Sequence, residues 1–361
     1  MAPILSKVLV LYTGGTIGMK LNENNDLAPA ESGQFENSLR ADPNFNGDSI
    51  GDYVGSDFLS LPAVTNERRR IIYKIKQHDK LIDSSNMGIS DWNLIAKRIY
   101  DHRGDYDGFV VLQGTDTMSY TASALSFMFE NLNKGVIITG SQKPIFETRS
   151  DGKENFISSL IIAALYGLTE VCVVFGNKLL RGNRTVKINC DSFASFYSPN
   201  FPPLGSIGVQ IKVDYQRVIR PKSSDCLLTE MNTKTICLLR IVPEMPETQI
   251  RAALEEPVVG VVLQSFGAGN IPSDRKELLN HLKSAIDRGV IIVNCTQCLR
   301  GSVTEDYDAS AGLRGMGVIF LGDITMEAAY TKLCHVLSKD ISVEKMKMMM
   351  RTNLRGELTE N

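Results

Sequence analysis

Histidine is scarce in this chain: His78, His102, His281 and His335 are all there is among 361 residues. None follows an apolar run beside a hydroxyl and an acid, so no serine–histidine–aspartate order emerges. Each histidine reads as a structural or surface residue. Metal-site signatures are equally thin. "CTQC" (Cys295 to Cys298) is a lone CxxC with no second pair and no nearby histidine, so no metal is expected. Packing is the preferred reading of that pair, with a redox couple as the alternative. Seven cysteines are an odd number, and several lie in apolar runs. Free thiols in a reducing, cytoplasmic compartment fit this best. No apolar run approaches the ~18 residues of a membrane span, and the short run behind Lys7 is too brief for a secretory signal. An excess of one charge is also missing: 39 Lys and Arg stand against 41 Asp and Glu, a net charge of −2. No global field therefore recruits nucleic acid or acidic lipid. The glycine-rich "TGGTIG" matches neither GxGxxG nor GxxxxGK[ST], which leaves a nucleotide site without support. No internal repeat and no low-complexity tract is present.

What the chain does have is a rhythm of short continuous apolar runs, each followed by a loop. They are "VLVLY" (8–12), "FVVL" (109–112), "VIIT" (136–139), "VCVVF" (171–175), "VVGVVL" (258–263), "VIIV" (290–293) and "GVIF" (317–320). Continuous rather than alternating runs predict strands buried on both faces, as in a parallel sheet. Helix-like segments lie between them. Met118, Thr121, Leu125, Met128 and Leu132 share one face of a helix predicted over 118–132. "IIYKIKQH" (71–78) alternates and reads as a half-exposed strand at a solvated edge behind "RRR" (68–70). Strands alternating with helices make the fold class α/β. The polar stretch 213–235 interrupts the rhythm. It divides the chain into a larger N-terminal α/β domain (1–212) with a parallel-type sheet and a smaller Rossmann-like C-terminal domain (236–361).

In open parallel sheets ligands sit at the carboxyl ends of strands. The residues just after the first runs are therefore the informative ones. They are Thr13-Gly-Gly-Thr16, "DSSNM" (83–87), "QGTDTM" (113–118) and, at the end of a polar loop, "RGNRTVK" (181–187). Together they supply hydroxyls, two acids and a lysine. A hydroxyl nucleophile without histidine needs another base, and lysine can serve. Lys187 is the candidate, with Asp116 to orient it. Bland readings stand beside this one: Thr13 as the cap of its turn, and Ser84 and Ser85 as caps of a helix beginning at "ISDWNLIAKRI".

The strings "YTGGTIGM", "QGTDTMSYTASAL", "TGSQKP", "RSDGKENF", "TQC" and "NLRGELT" resemble the bacterial-type L-asparaginases, and within them the type I, cytosolic branch. The resemblance runs from Val8 to about Thr359. It implies hydrolysis of the side-chain amide of L-asparagine through a threonine acyl-enzyme, without a cofactor. It also implies a homodimer or homotetramer in which each pocket lies between one subunit's N-terminal domain and its neighbour's C-terminal domain. By motif, Thr16 matches the nucleophile and Thr115 the second essential threonine, with Asp116 and Lys187 completing the catalytic group. Asp83, Ser84 and Ser85 match the segment that grips the substrate's α-carboxylate and α-amino group, with Gly114, Thr115 and Asp116 alongside. Asn270 and Tyr307 match positions that reach across the subunit boundary.

The chain departs from the family pattern at three places. Gln113 stands where the second motif usually has histidine, and a hydrogen-bonding substitute is expected there. The loop 19–36 lacks the tyrosine that many members use to hold the nucleophile, a role left to Tyr307. Gln264 stands where some bacterial members carry an arginine near a regulatory asparagine site, so hyperbolic kinetics are expected. Two other classes share the threonine motifs: an amidotransferase subunit serving aminoacyl-tRNA, and a catalytically silent sensor. The first motif's start at residue 8 argues against the former. The intact Thr16, Thr115, Asp116 and Lys187 argue against the latter.

Overall fold

A computed structural model describes residues 4–47, 55–65, 67–305 and 308–360, with backbone alone at 308–311. Nine strands form the first sheet: β1 (Ile4–Tyr12), β2 (Leu59–Ser60), β3 (Arg69–Gln77), β4 (Gly108–Leu112), β5 (Val136–Thr139), β6 (Val171–Phe175), β7 (Lys178–Arg181), β8 (Gly205–Ile207) and β9 (Ile211–Val213). Their order is β9-β8-β7-β6-β5-β4-β1-β3-β2. The middle, β3-β1-β4-β5-β6, is parallel. The flanks are antiparallel.

The continuous apolar runs follow from cover on both faces. Successive side chains of a strand point to opposite sides. Val8, Val10 and Tyr12 pack with α1 (Gln34–Ala41) and α4 (Gly152–Leu165). Leu9 and Leu11 pack on the other side with α2 (Ile89–Asp101) and α3 (Met118–Met128). The stretch read as half-exposed, β3, has Ile71, Ile72 and Tyr73 buried. It is not the edge, because β2 pairs along its outer side.

The second sheet is parallel throughout, in the order β10 (Ile236–Arg240), β11 (Gly260–Ser265), β12 (Ile291–Thr296), β13 (Ile319–Phe320). Helices α5 (Glu247–Leu254) and α6 (Lys276–Asp287) cover one face with Ile250, Leu254, Leu278 and Leu282. Helix α7 (Asp308–Met316) precedes β13. Helices α8 (Met326–Leu337) and α9 (Val343–Arg351) cover the other face, through Ala328, Leu333 and Met350. The fold class is α/β, as the alternation of runs predicts.

The two sheets share one apolar cluster. Helix α3 carries Ala122, Leu125 and Met128 into it from the first sheet, and α8 carries Ala329, Leu333 and Val336 from the second. Being covered on both sides, α3 is buried nearly all round, with Tyr120 the half-buried exception. It ends at Met128 rather than Leu132. The next two residues, Phe129–Glu130, pair antiparallel with Leu227–Leu228, so a ladder takes their backbone from the helix.

Glu327 lies in the first turn of α8, where helix N-termini favour a negative charge. Burial nonetheless pushes its carboxyl up from 4.5 to about 7. A group raised in this way takes up a proton on folding. Its contribution is complete below the unfolded value of 4.5 and is lost as pH rises through about 7. Glu327→Gln, which cannot ionise, is expected to stabilise the protein by roughly 1–2 kcal/mol more at pH 8 than at pH 5. Thermal midpoints of the two proteins at both pH values check this, and an equal shift at both contradicts it.

Candidate active site

Three strand ends converge through glycine. Gly14 and Gly15 follow β1 with φ of 124° and 88°, a region open to glycine at little cost. A Cβ on Gly14 would lie 2.5 Å from the Ile82 carbonyl oxygen, and one on Gly15 would lie 2.2 Å from the Gly114 nitrogen. A Cβ on Gly114 would in turn meet Ser84 Oγ at 2.6 Å. The loop after β1 thus touches those after β3 and β4 backbone to backbone. Between the loops after β3 and β4 only the small Ser84 side chain fits, against Gly114.

Thr13 is fully buried, and its N–H and Oγ1 both donate to the Leu112 carbonyl at 2.9 Å. Its hydroxyl latches β1 to β4 and is spent on structure. Thr16 is half-buried and opens a single 3₁₀ turn, Thr16–Gly18. Ser84 is 2% exposed. Its Oγ accepts from the Asp116 N–H at 3.2 Å, and its carbonyl accepts from Thr117 Oγ1 at 2.6 Å. Ser84 therefore holds the second threonine motif from behind. Asp83 and Ser85 are exposed beside it, and Asp83 Oδ1 accepts from Ser85 N and Oγ, each at 3.0 Å. The serines do not cap α2. That helix starts after Gly88, whose N–H donates to Asp91 at 2.8 Å.

Lys187 arrives from the antiparallel flank. β7 leads into the 3₁₀ turn Gly182–Arg184, and Val186–Lys187 then pairs with Phe196–Tyr197. Lys187 Nζ donates to Thr115 Oγ1 at 2.8 Å and to Asp116 Oδ1 at 2.7 Å. Thr115 is buried, the Lys187 side chain is 18% exposed and that of Asp116 is 63% exposed. The amine thus sits between a hydroxyl and a carboxylate at the rim of the fold.

Gln113 is fully buried and its Nε2 donates to Thr117 Oγ1 at 3.3 Å, which makes it the hydrogen-bonding substitute expected there. Gln264 is buried in the second sheet, and its Oε1 accepts from Arg240 Nη1 at 3.4 Å. Asn270 lies on the turn after β11, bridged to Phe266, and its buried Oδ1 has no partner among the described residues. None of the hydrogen bonds of the described residues joins Asn270 to the Lys187 group. Tyr307 lies outside the described residues. Among those residues no group of three or more His, Cys, Asp or Glu side chains is placed to hold a metal ion. No helix among them is long and apolar enough to cross a membrane.

The family model for the asparaginase N-terminal domain matches residues 7–219, and that for the glutaminase/asparaginase C-terminal domain matches 235–350. The chain belongs to the asparaginase family. It is 47% identical to an L-asparaginase of Dirofilaria immitis, over 98% of this chain and 60% of that protein. It is 42% identical to a 60 kDa lysophospholipase of Homo sapiens, over 98% of this chain and 61% of that one. The chain thus spans about three fifths of these relatives. Among solved structures it is similar to L-asparaginase I of Vibrio cholerae, with a TM-score of 0.84 and 41% identity over 98% of this chain and 99% of that one.

Sequence reasoning missed the inward role of Ser84. A buried hydroxyl and an exposed one look alike in "DSSN". The signal that could have found it is the glycine opposite, Gly114, which leaves room for a contact from a third loop. Two substitutions separate backbone strain from loop contact in this asparaginase-family site. Gly33 also has a left-handed backbone, φ 76°, but a Cβ there meets nothing within 4 Å. Gly33→Ala is expected to cost roughly 1 kcal/mol, and Gly15→Ala at least about 3 kcal/mol. Urea denaturation of both variants measures the difference, and equal losses contradict the close loop contact.

Proposed function

We propose that the chain hydrolyses the side-chain amide of L-asparagine to L-aspartate and ammonia through a threonine acyl-enzyme. The observation that carries this reading is Lys187 Nζ held between Thr115 Oγ1 and Asp116 Oδ1. An amine bonded to a hydroxyl and oriented by a carboxylate is the arrangement that moves a proton without histidine. Thr16 Oγ attacks the amide carbon. Its proton passes by way of Thr115 and Lys187 to the amide nitrogen. The C–N bond breaks and ammonia leaves. Water then attacks the ester, its proton travels the same route back to Thr16, and aspartate departs. The developing oxyanion is assigned to backbone N–H groups near Gly15 and Thr115, an effect of roughly 3–4 kcal/mol per donor in other enzymes. Asp83, Ser85 and Asp116 take the substrate's α-amino and α-carboxylate groups, and Ser84 contributes by fixing Asp116.

A second reading has its own support. Lys187 bonds Thr115 directly, so Thr115 is the alternative nucleophile, with Lys187 as its base. The name of the human relative adds a test of substrate class: fatty acid release from lysophosphatidylcholine against ammonia release from asparagine. The chain as it stands is expected to do the latter alone, which also sets it apart from an amidotransferase subunit and from a silent sensor.

The working form we propose is a cytoplasmic homodimer or homotetramer. Seven free cysteines are in keeping with a reducing compartment. Asn270 and Tyr307 are assigned across a subunit boundary by the family motif alone. The monomer is then expected to be inactive, and Gln264 makes a hyperbolic dependence on asparagine the expected one.

Thr16→Ala and Thr115→Val are each expected to lower kcat by roughly 10³-fold or more, with circular dichroism unchanged. Lys187→Met should lower kcat far more than it changes KM, because the amine acts in the transition state. Ammonia release reads all three. Near-normal turnover in any of them sinks the mechanism. Full activity at dilutions where light scattering shows only monomer contradicts the shared pocket.

A further inference from the structure

Arg181 to Thr185, the run that leads to Lys187, is polar and wholly buried. Apolar residues would fill such a place with less desolvation, so the polar groups must have partners. Arg181 pairs with the buried Glu170 carboxylate at 2.7 Å, and four of the nine side-chain hydrogen bonds of this run go to one segment, "NLRGELT" (353–359), which follows α9 at the other end of the chain. Arg184 is 1% exposed. Its Nε donates to the Gly356 carbonyl at 2.7 Å, its Nη2 to Thr359 Oγ1 at 3.3 Å, and its Nη1 to Asp323 Oδ2 at 2.7 Å. Asn183 Nδ2 donates to the Arg355 carbonyl at 2.9 Å, and Arg181 Nη1 to that of Gly356 at 3.3 Å. Asp323 closes the group by accepting from Thr359 N at 2.9 Å.

The segment is itself tied down by buried contacts. Glu357 is fully buried, pairs with Lys332 Nζ of α8 at 2.6 Å and accepts from Leu354 N at 2.9 Å. Gly356 has φ 76°, and a Cβ there would lie 2.5 Å from Arg181 Nη1. From Arg184 the path to Lys187 is three residues. Thr185 Oγ1 returns to the Arg181 carbonyl at 2.7 Å, and Ile188 N donates to the Ser195 carbonyl at 2.8 Å. The backbone is thus pinned on both sides of Lys187. A lysine side chain is flexible along its four-carbon stem, so the place of Nζ depends on how firmly its own Cα is held.

We propose that the C-terminal segment 353–359, through Arg184 and Asp323, is a clasp that positions Lys187 against Thr115 and Asp116. Arg184, Asp323 and Thr359 are positioning residues, and the inference rests on the role assigned to Lys187 above. The clasp also makes the C-terminal half a contributor to chemistry that the N-terminal half carries out. A misplacement of about 1 Å at a reacting group costs roughly 10²-fold in rate. Loosening the clasp should therefore act on kcat and leave substrate binding alone.

The test uses Arg184→Lys, which keeps the charge and loses the planar fork, and Thr359→Val, which removes one hydroxyl at an exposed position. Each is assayed for ammonia release from asparagine beside Lys187→Met, with circular dichroism and thermal midpoint as folding controls. The expected result is a kcat lower by roughly 10–100-fold for Arg184→Lys and several-fold for Thr359→Val, with KM changed less than about twofold. If Arg184→Lys does not fold, Thr359→Val carries the test. Wild-type kcat in folded Thr359→Val and Arg184→Lys, with Lys187→Met inactive, overturns the clasp. So does a loss of thermal midpoint with kcat per folded molecule unchanged. Normal turnover in Lys187→Met overturns the assignment of Lys187 instead, and the two failures are told apart.

Discussion

The approach of the Gly15 backbone to the Gly114 amide is the constraint from which the rest of the site follows. Two threonine motifs on neighbouring parallel strands can share one pocket only if their loops close on each other. A Cβ on Gly15 would sit 2.2 Å from the Gly114 nitrogen, so glycine is required there. Ser84 then fills the space that Gly114 leaves and fixes the Asp116 N–H at 3.2 Å. Thr13 latches the same strand end to Leu112. With these backbones fixed, Thr16, Thr115 and Asp116 inherit their places from the sheet.

The second sheet's helices reach this site by packing as well as by hydrogen bonds. Helix α3 begins at Met118, directly after the Thr115–Asp116–Thr117 motif, and α8 of the C-terminal half packs along it in one shared apolar cluster. Tyr120, four residues past Asp116, meets Tyr330 edge-on with ring centroids 6.2 Å apart. The helix that follows the motif is thus held between two sheets. The polar clasp at Arg184 does for Lys187 what this apolar contact does for Thr115.

The α/β class and the strands of the parallel core were legible in the sequence, because a short, continuous apolar run is what a strand covered on both faces requires; the flanking strands Leu59–Ser60, Lys178–Arg181, Gly205–Ile207 and Ile211–Val213, and Ile236–Arg240 of the second sheet, were not. Thr115, Asp116 and Lys187 were legible as one group only through their shared place after strands and through the family motifs; the structure brings them within hydrogen-bond distance. The end of α3 was not legible, since Phe129–Glu130 fits a helix as well as it fits the strand it joins through a partner far along the chain. Nor was the setting of β3, where short β2 covers the outer side. The partners of Arg184 were hidden for the same reason. Its spacing to Asp323 and Thr359 is set by tertiary folding, and neither periodicity nor a local motif records it.

The central claim is that one particular threonine carries the acyl group, with Lys187 moving the proton. Rapid acid quench of the enzyme during turnover of asparagine, followed by proteolysis and mass spectrometry, tests it directly. The expected result is one aspartyl group in ester linkage on the peptide that contains Thr16, absent in Thr16→Ala and accumulating in Lys187→Met only to a trace. An aspartyl ester on the peptide that contains Thr115 would contradict the account and make Thr115 the nucleophile.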